Sequence, residues 1–456
     1  MPDIIFSVSG VRGIYGESLT LPVAVKYTMA FAKFCRDNYK SNKIIVGSDG
    51  RLKGGEISSV VTHTLAFAGF EVVDIGVVPT PTVQLAVEKL KAAGGIAVTA
   101  SHNPQQWNGL KFLDSDGTFL KSNQIAEVKK NLKQKKYKLV SYKNIKPVKQ
   151  DLTWIDKHIE LVLKSGFVNV SRIKKRKFKV VVDAVNSSGS VIVPRLLRKL
   201  GCSVTELYCD GSGIFPHMPE PLPQNLTLLS QAVRKNKADI GVAIDPDGDR
   251  LVLICENGKP FIEENTIVAV IRNILRNTKG RRCAVVNMST TRAVNAVVKE
   301  NGGMLYRTAV GEINVVSGMK HVRAVVGGEG SGGVIVPEIH YGRDASAGLA
   351  IVLNELACFK GKMSLYKKTI PEYFILKTKF ETTGNPSALL KKIEKLFSKE
   401  NCRISTIDGV KLDFPDYWIH LRKSNTEPII RIIIEAKSEP EAKKLMAGFL
   451  KRIKIS

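Results

Sequence analysis

Short apolar runs bounded by glycine or polar turns alternate along this chain with stretches whose apolar residues recur every three or four positions. Continuous apolar runs suit buried strands and a 3.6-residue period suits amphipathic helices, so the alternation predicts α/β layers. Leu21 to Tyr39 reads as a helix, Lys43 to Gly47 as a buried strand, Gly55 to Phe70 as a second helix, and Glu71 to Gly76 and Gly95 to Thr99 as further strands. The strand, loop, helix unit returns at Phe178 to Asp183, followed by Asn186-Ser-Ser-Gly189 and a helix through Leu200. It returns again at Cys283 to Asn287, followed by Ser289-Thr-Thr-Arg292. Three units of one design predict three related α/β domains, each with a turn whose free N–H groups suit a phosphate. After about residue 370 longer strand-like segments take over, Tyr417 to Leu421 and Ile429 to Ile434, with a final helix over Glu439 to Lys451. That change predicts a smaller, separate α+β domain.

Composition narrows the class. The chain has 456 residues, 44% of them hydrophobic, which excludes disordered, collagenous and small disulfide-rich proteins. At roughly 100–200 residues per domain, two to four domains are expected. Seven scattered cysteines with no C-x-x-C pair predict reduced thiols rather than a disulfide framework or a zinc site. Asp3 stands where an export signal would carry a cation, and charges such as Glu71, Asp74 and Glu88 interrupt the most apolar stretches, so no signal peptide, no membrane partner and a cytoplasmic location are expected. With 69 Lys plus Arg against 42 Asp plus Glu, the net charge is +27. Such a field rewards nucleic acid or small phosphorylated metabolites. The densest basic runs, Lys129 to Lys149 (with Lys135, Lys136 and Lys138) and Arg172 to Lys179, lie outside any glycine-aromatic binding motif and read as solvated surface. Nucleic acid is therefore set aside as a partner.

Four segments carry the chemistry. Ile244-Asp-Pro-Asp-Gly-Asp-Arg-Leu251 places Asp245, Asp247 and Asp249 at alternate positions between two apolar strands. Three carboxylates so close repel unless a hard divalent cation neutralises them. Glu256 falls where an EF-hand would end, but Arg250 replaces the required glycine and the flanks are β-branched, which favours Mg²⁺ sharing its shell with phosphate. Thr99-Ala-Ser-His-Asn-Pro104 holds Ser101 on a turn beside His102, a hydroxyl able to carry a phosphoryl group. Gly327-Gly-Glu-Gly-Ser-Gly-Gly333 reads as a glycine-rich loop between strands that displays Glu329 and Ser331 to a ligand's hydroxyls. Arg422-Lys-Ser-Asn-Thr-Glu-Pro428 supplies cations, hydroxyls and backbone donors suited to a phosphate dianion.

In this order the four segments resemble those of the α-D-phosphohexomutases, and the resemblance runs from end to end. Ser9-Gly-Val-Arg-Gly13, Gly47-Ser-Asp-Gly-Arg51, Gly76-Val-Val-Pro-Thr-Pro81 and Asn108-Gly-Leu-Lys111 extend it. It implies three related α/β domains with mixed sheets plus a C-terminal α+β, TBP-like domain around a central cleft, with boundaries at 1–150, 151–256, 257–368 and 369–456. It also implies a phosphohexomutase, monomer or homodimer, that uses Mg²⁺ and a hexose 1,6-bisphosphate as activator and intermediate. Carried over by position, Ser101 is the phosphoserine and, with Asp245, Asp247 and Asp249, a metal ligand. Arg12, Lys111 and Arg250 offset charge on the transferring group, and Lys111 and His102 are the candidates for proton transfer. Glu329 and Ser331 bind sugar hydroxyls, while Arg422, Ser424, Asn425 and Thr426 grip the non-transferring phosphate. Arg51 braces the site. Gly332-Gly333, where many bacterial members have Gly-His, leaves the sugar open among glucosamine, mannose and glucose. Two alternatives remain: a Mg²⁺-dependent phosphatase or bisphosphate synthase using the same phosphoserine, and a nucleic-acid-binding protein on a mutase scaffold.

Overall fold

The computed structural model describes residues 4–8, 10–134, 137–381, 385–423 and 429–455. Four sheets organise the chain. The first has seven strands, with Lys43–Ser48 parallel to both Glu71–Val77 and Gly94–Val98, and Trp107–Leu113 running antiparallel beside them. The second has four, Ile240–Ile244 pairing in parallel with Lys179–Asp183 and antiparallel with Leu251–Cys255. The third has five, with Val326–Glu329 at its centre, parallel to Cys283–Asn287 on one side and antiparallel to Gly333–Val336 on the other, beyond which His340–Arg343 forms the edge. The fourth is an antiparallel sheet of five strands, Phe374–Glu381, Ile429–Ala436, Trp418–Lys423, Val410–Asp413 and Arg403–Ser405. Three mixed α/β sheets and one α+β unit match the fold class read from the pattern.

The helices follow from spacing. In Leu21–Asn38 the residues Ala24, Tyr27, Phe31 and Phe34 recur on one face and are buried there. Helix Ala345–Phe359 is apolar nearly all round and buried over most of its length, as a helix at the junction of packed layers must be. Asp344 caps it, accepting from Ser346 and Ala347 N–H, while its other oxygen meets the buried rings of His158 (2.8 Å) and His340 (3.3 Å). One apolar cluster runs without a break from the first sheet through the second and third, from Ile45 to Ile370. The fourth unit has a core of its own.

Two expectations need amendment. The glycine-rich stretch 327–333 is mostly strand: Gly327 to Glu329 and Gly333 belong to paired strands, leaving a tight hairpin of three residues. Its glycines pack under neighbours such as Met319 rather than forming an open loop. The basic run Arg172 to Lys179 is in part structural. Arg172 donates to Cys358 Sγ, and Arg176 donates to Gly361 O just beyond the C-terminus of helix Ala345–Phe359, where a cation also suits the helix dipole. Lys135 and Lys136 lie outside the described residues. All seven cysteines are free, and no helix among the described residues is long and apolar enough to cross a membrane.

Candidate active site

Loops from all four units meet in one cavity of about 490 Å³, lined by Arg12, Ser101, His102, Lys111, Arg250, Glu329, Ser331 and Arg422 among others. The sequence-predicted residues that are described are therefore brought together. Ser424, Asn425 and Thr426, like Ser9, lie outside the described residues.

Ser101 sits in the left-handed region, φ 53°, a strained conformation for a residue with a side chain. Its loop is tied down locally. Ser101 N–H donates to Thr99 Oγ1, whose hydroxyl donates to the buried Asp49. Arg51 donates to the carbonyls of Ser101 (2.6 Å), Asn103 (3.1 Å) and Pro104 (2.7 Å), bracing the loop at three points. Phe215, carried by the second unit, lies under the Arg51 guanidinium at 4.8 Å. From this perch Ser101 Oγ lies 3.3 Å from His102 Nδ1 and 3.4 Å from Asp245 Oδ2.

Beneath Ser101 the three aspartates are fully buried, Asp245 with both oxygens engaged by protein and Asp247 and Asp249 with one each hydrogen-bonded. Asp245 Oδ1 accepts from the N–H groups of Asp249 and Arg250. Asp247 Oδ2 accepts from Thr80 Oγ1 and Lys111 Nζ. Asp249 Oδ2 accepts from Arg343 at 2.6 Å and lies 3.5 Å from Lys111. The opposite oxygens of Asp247 and Asp249 are buried without a hydrogen-bond partner among the described residues, Arg250 Nε lying 3.9 Å from that of Asp249, and the three carboxylates offer atoms within 4.8 Å of one another. Unpaired buried carboxylate oxygens converging on one point fit a hard cation such as Mg²⁺. Burial, reinforced by the charges of Asp249 and Asp247, pushes Asp245 well above the usual carboxylate range. Burial acts the same way on Asp247 and Asp249, but Lys111 outweighs it at the first, and Arg343, Lys111 and Arg250 at the second, so both stay below that range.

The two proton-transfer candidates differ in charge. Burial, with Arg250 and Arg12 alongside, lowers His102 to about 3, so its imidazole is neutral near pH 7. Lys111 is buried, yet Asp247 and Asp249 more than offset that and keep it an ammonium. In this arrangement Lys111 compensates charge.

The Ser-Gly turn of the second unit is engaged by protein rather than left open as a phosphate cradle. Ser187 and Ser188 donate their hydroxyls to Pro246 O at 2.8 and 2.7 Å, holding the aspartate loop, and Gly50 N–H donates to Ser187 Oγ. Glu329 is also heavily engaged, accepting from Asn287 Nδ2 (2.8 Å), Gly311 N–H (3.0 Å) and Arg343 (2.8 Å), which leaves little capacity for sugar hydroxyls. Arg422 meets Asp408 at 2.6 Å. Sequence reading missed Arg343, Glu264, Glu220 and Thr80. Glu220, next to the proline-rich stretch Phe215 to Pro221, reaches toward Arg250 (3.6 Å) and His102 (3.9 Å) at the rim. Thr80 stands in the Gly76 to Pro81 motif without having been given a role, and the other three stand in no motif and gain their meaning only from what folding places beside them.

Comparison with known proteins decides the family. Models of the phosphoglucomutase/phosphomannomutase family match in sequence, α/β/α domain I over residues 3–138, domain II over 156–258, domain III over 263–373 and the C-terminal domain over 378–452. The chain belongs to the α-D-phosphohexomutase family. It is 36% identical to a phosphoglucomutase/phosphomannomutase of Thermococcus kodakarensis, over 97% of this chain and 96% of that one. It is 31% identical to a phosphoglucosamine/phosphogalactosamine mutase of Sulfurisphaera tokodaii, over 97% of both. A phosphoglucomutase/phosphomannomutase family protein from Burkholderia thailandensis superposes with a TM-score of 0.86 at 27% identity, covering 99% of this chain and 98% of that one. This phosphohexomutase is thus an enzyme of the mutase type acting on phosphosugars.

Proposed function

We propose that the enzyme interconverts hexose 6-phosphates and hexose 1-phosphates through a phosphoserine at Ser101 and a hexose 1,6-bisphosphate intermediate. The observation that carries this reading is the position of Ser101, which lines a cation-rich cleft of about 490 Å³ with its Oγ 3.4 Å from Asp245 Oδ2 of the aspartate trio. A phosphoryl group on Ser101 passes to the free hydroxyl of the bound sugar phosphate, the new O–P bond forming as the Ser101 O–P bond breaks. The bisphosphate turns within the cleft and its other phosphoryl group returns to Ser101, leaving the isomeric monophosphate. Asp245, Asp247 and Asp249 would hold the divalent ion, together with a phosphoryl oxygen on Ser101. When bound, that ion supplies Lewis-acid stabilisation of charge on the transferring group. Arg12, Arg250 and Lys111 add fixed positive charge around the same point. His102, 3.3 Å from Ser101 Oγ, relays the proton of the attacking hydroxyl to the serine oxygen as its O–P bond breaks. Ser331 and the remaining capacity of Glu329 hold sugar hydroxyls, and Arg422 with Ser424, Asn425 and Thr426 grips the second phosphate, fixing the sugar for attack. Each role falls to one of four units, 1–150, 151–256, 257–368 and 369–456. Pairing of Lys149–Gln150 with the first sheet and the start of the fourth at Phe374 support those boundaries.

Ser101→Ala tests the reading. Turnover of glucose, mannose and glucosamine 6-phosphates with Mg²⁺ and a bisphosphate activator is expected to fall by about 10³-fold or more, with the circular dichroism spectrum unchanged. Mass spectrometry of wild-type protein is expected to find phosphate on Ser101. Full activity of the variant would refute the phosphoserine.

A further inference from the structure

Cations dominate the cleft, and two of its carboxylates are compensated by the same arginine: Glu312 and Glu329 contact Arg343 at 3.0 and 2.8 Å. Glu264 is different. It lines the cavity from the first turn of helix Glu263–Asn277 and is only 8% exposed. One of its oxygens accepts from Thr291 N–H at 3.0 Å, and the other has no hydrogen-bond or ion-pair partner among the described residues. The neighbouring Lys377 makes its ion pair with Glu263, at 3.8 Å, and offsets the charge of Glu264 only in part. The Glu264 carboxylate lies directly against Gly330 of the sugar hairpin. A Cβ on Gly330 would fall 2.0 Å from both of its oxygens, so the absence of a side chain there is what admits the carboxylate. Burial, only partly offset by Lys377, pushes Glu264 up to about 8, so near pH 7 it keeps its proton unless a ligand brings a compensating cation.

A ligand in this cavity relieves the cost of ionising Glu264 best by bringing a donor that is also positively charged. A sugar hydroxyl donates a hydrogen bond but brings no charge to favour the ionised acid. The ammonium of an amino sugar does both. We propose that Glu264 reads the amino group of the substrate, selecting hexosamine phosphates over neutral hexose phosphates. The inference rests on the phosphohexomutase reading of this cleft and sharpens its substrate.

Equilibrium titration calorimetry with glucosamine 6-phosphate and glucose 6-phosphate tests it on the whole enzyme. Wild type is expected to bind the amino sugar about tenfold tighter, the scale of one charge-assisted hydrogen bond. Glu264→Gln, which keeps the shape and removes the charge, is expected to bring the ratio of the two affinities close to one, and Glu264→Asp to give an intermediate ratio. A wild-type ratio at or below one overturns the proposal. So does an equal loss for both sugars in Glu264→Gln. Because the ratio is read from binding, it stays interpretable even if Ser101 proves dispensable for turnover, and the two readings fail separately.

Discussion

Arg343 shows how much one side chain can organise. Its guanidinium reaches Asp249 at 2.6 Å, Glu329 at 2.8 Å and Glu312 at 3.0 Å, so the aspartate loop, the sugar hairpin and the segment after Val310 share a single buried cation. Burial pushes Glu312 up to about 7 even so, a sign that one charge is divided among three acids. A planar fork of donors can serve three carboxylates and an ammonium cannot. Arg343→Lys is therefore expected to recover only part of what Arg343→Gln loses. Removing one partner of a buried pair costs about 3–5 kcal/mol. Arg343→Gln should lower stability on that scale in urea titration and kcat/KM by at least about tenfold. Wild-type kinetics in the lysine variant would show that the fork geometry is unnecessary. No motif announces this arginine. Asp245, Asp247 and Asp249 are legible because their chemistry is packed into five consecutive residues, whereas the Tyr341-Gly-Arg-Asp344 stretch says nothing until the chain folds.

At the scale of elements, short strand-to-strand turns carry the chemistry. The aspartate loop joins Ile240–Ile244 to Leu251–Cys255 in antiparallel register, with Ile244 opposite Leu251, so the turn has to be tight. Gly248 makes it so, with φ +68° and its N–H on Asp245 O. A Cβ there would also come 2.7 Å from Pro79 Cβ. Gly248→Ala thus pays for a left-handed conformation and a clash within the span that aims three carboxylates. Mn²⁺ titration followed by electron paramagnetic resonance is expected to show affinity reduced about tenfold or more, with secondary structure intact. Unchanged affinity would show that the carboxylates do not depend on this turn. The strands flanking the loop were readable from their apolar runs, and most observed boundaries fall within one to three residues of the pattern. The stretch 327–333 was harder. Glycine suggests a loop by composition, and only close packing under Met319 and against Ile267 shows why glycine is needed inside paired strands there. The Ser187–Ser188 turn was visible as a hydroxyl-rich turn, but its partner Pro246 is some sixty residues away in sequence and could not be read.

Across the whole molecule, the first three units share one apolar core while the fourth is attached largely through polar groups. Arg292 spans the join, its backbone N–H and guanidinium reaching Glu435, Asp413 and the carbonyls of Phe414, Pro415 and Tyr417. Ser289 Oγ meets His420 Nδ1 at 2.9 Å, and Val310 N–H donates to Asp408, the acid that also holds Arg422. Within this seam Lys411 is buried, over the Trp418 ring at 4.4 Å, with its Nζ on Met288 O. Burial lowers it to about 7, helped by Arg307 and Arg292 and opposed by Asp413 and Glu435. An unfolded lysine keeps its proton to about pH 10.4, so between pH 7 and that value the unfolded chain binds more protons than the folded one. Stability contributed at this site therefore rises with pH across that window, and the cost of the buried charge is present in full below pH 7. Lys411→Met retains the apolar stem against Trp418 and removes the titrating group. Relative to wild type, the variant is expected to be most favoured at pH 6 and to lose on the order of 1 kcal/mol or more of that advantage by pH 9. Denaturant unfolding at a series of pH values, followed by Trp fluorescence, reads the slope directly. A difference between the two proteins that does not vary with pH would mean that Lys411 is solvated when folded and that the seam is wetter than its packing indicates.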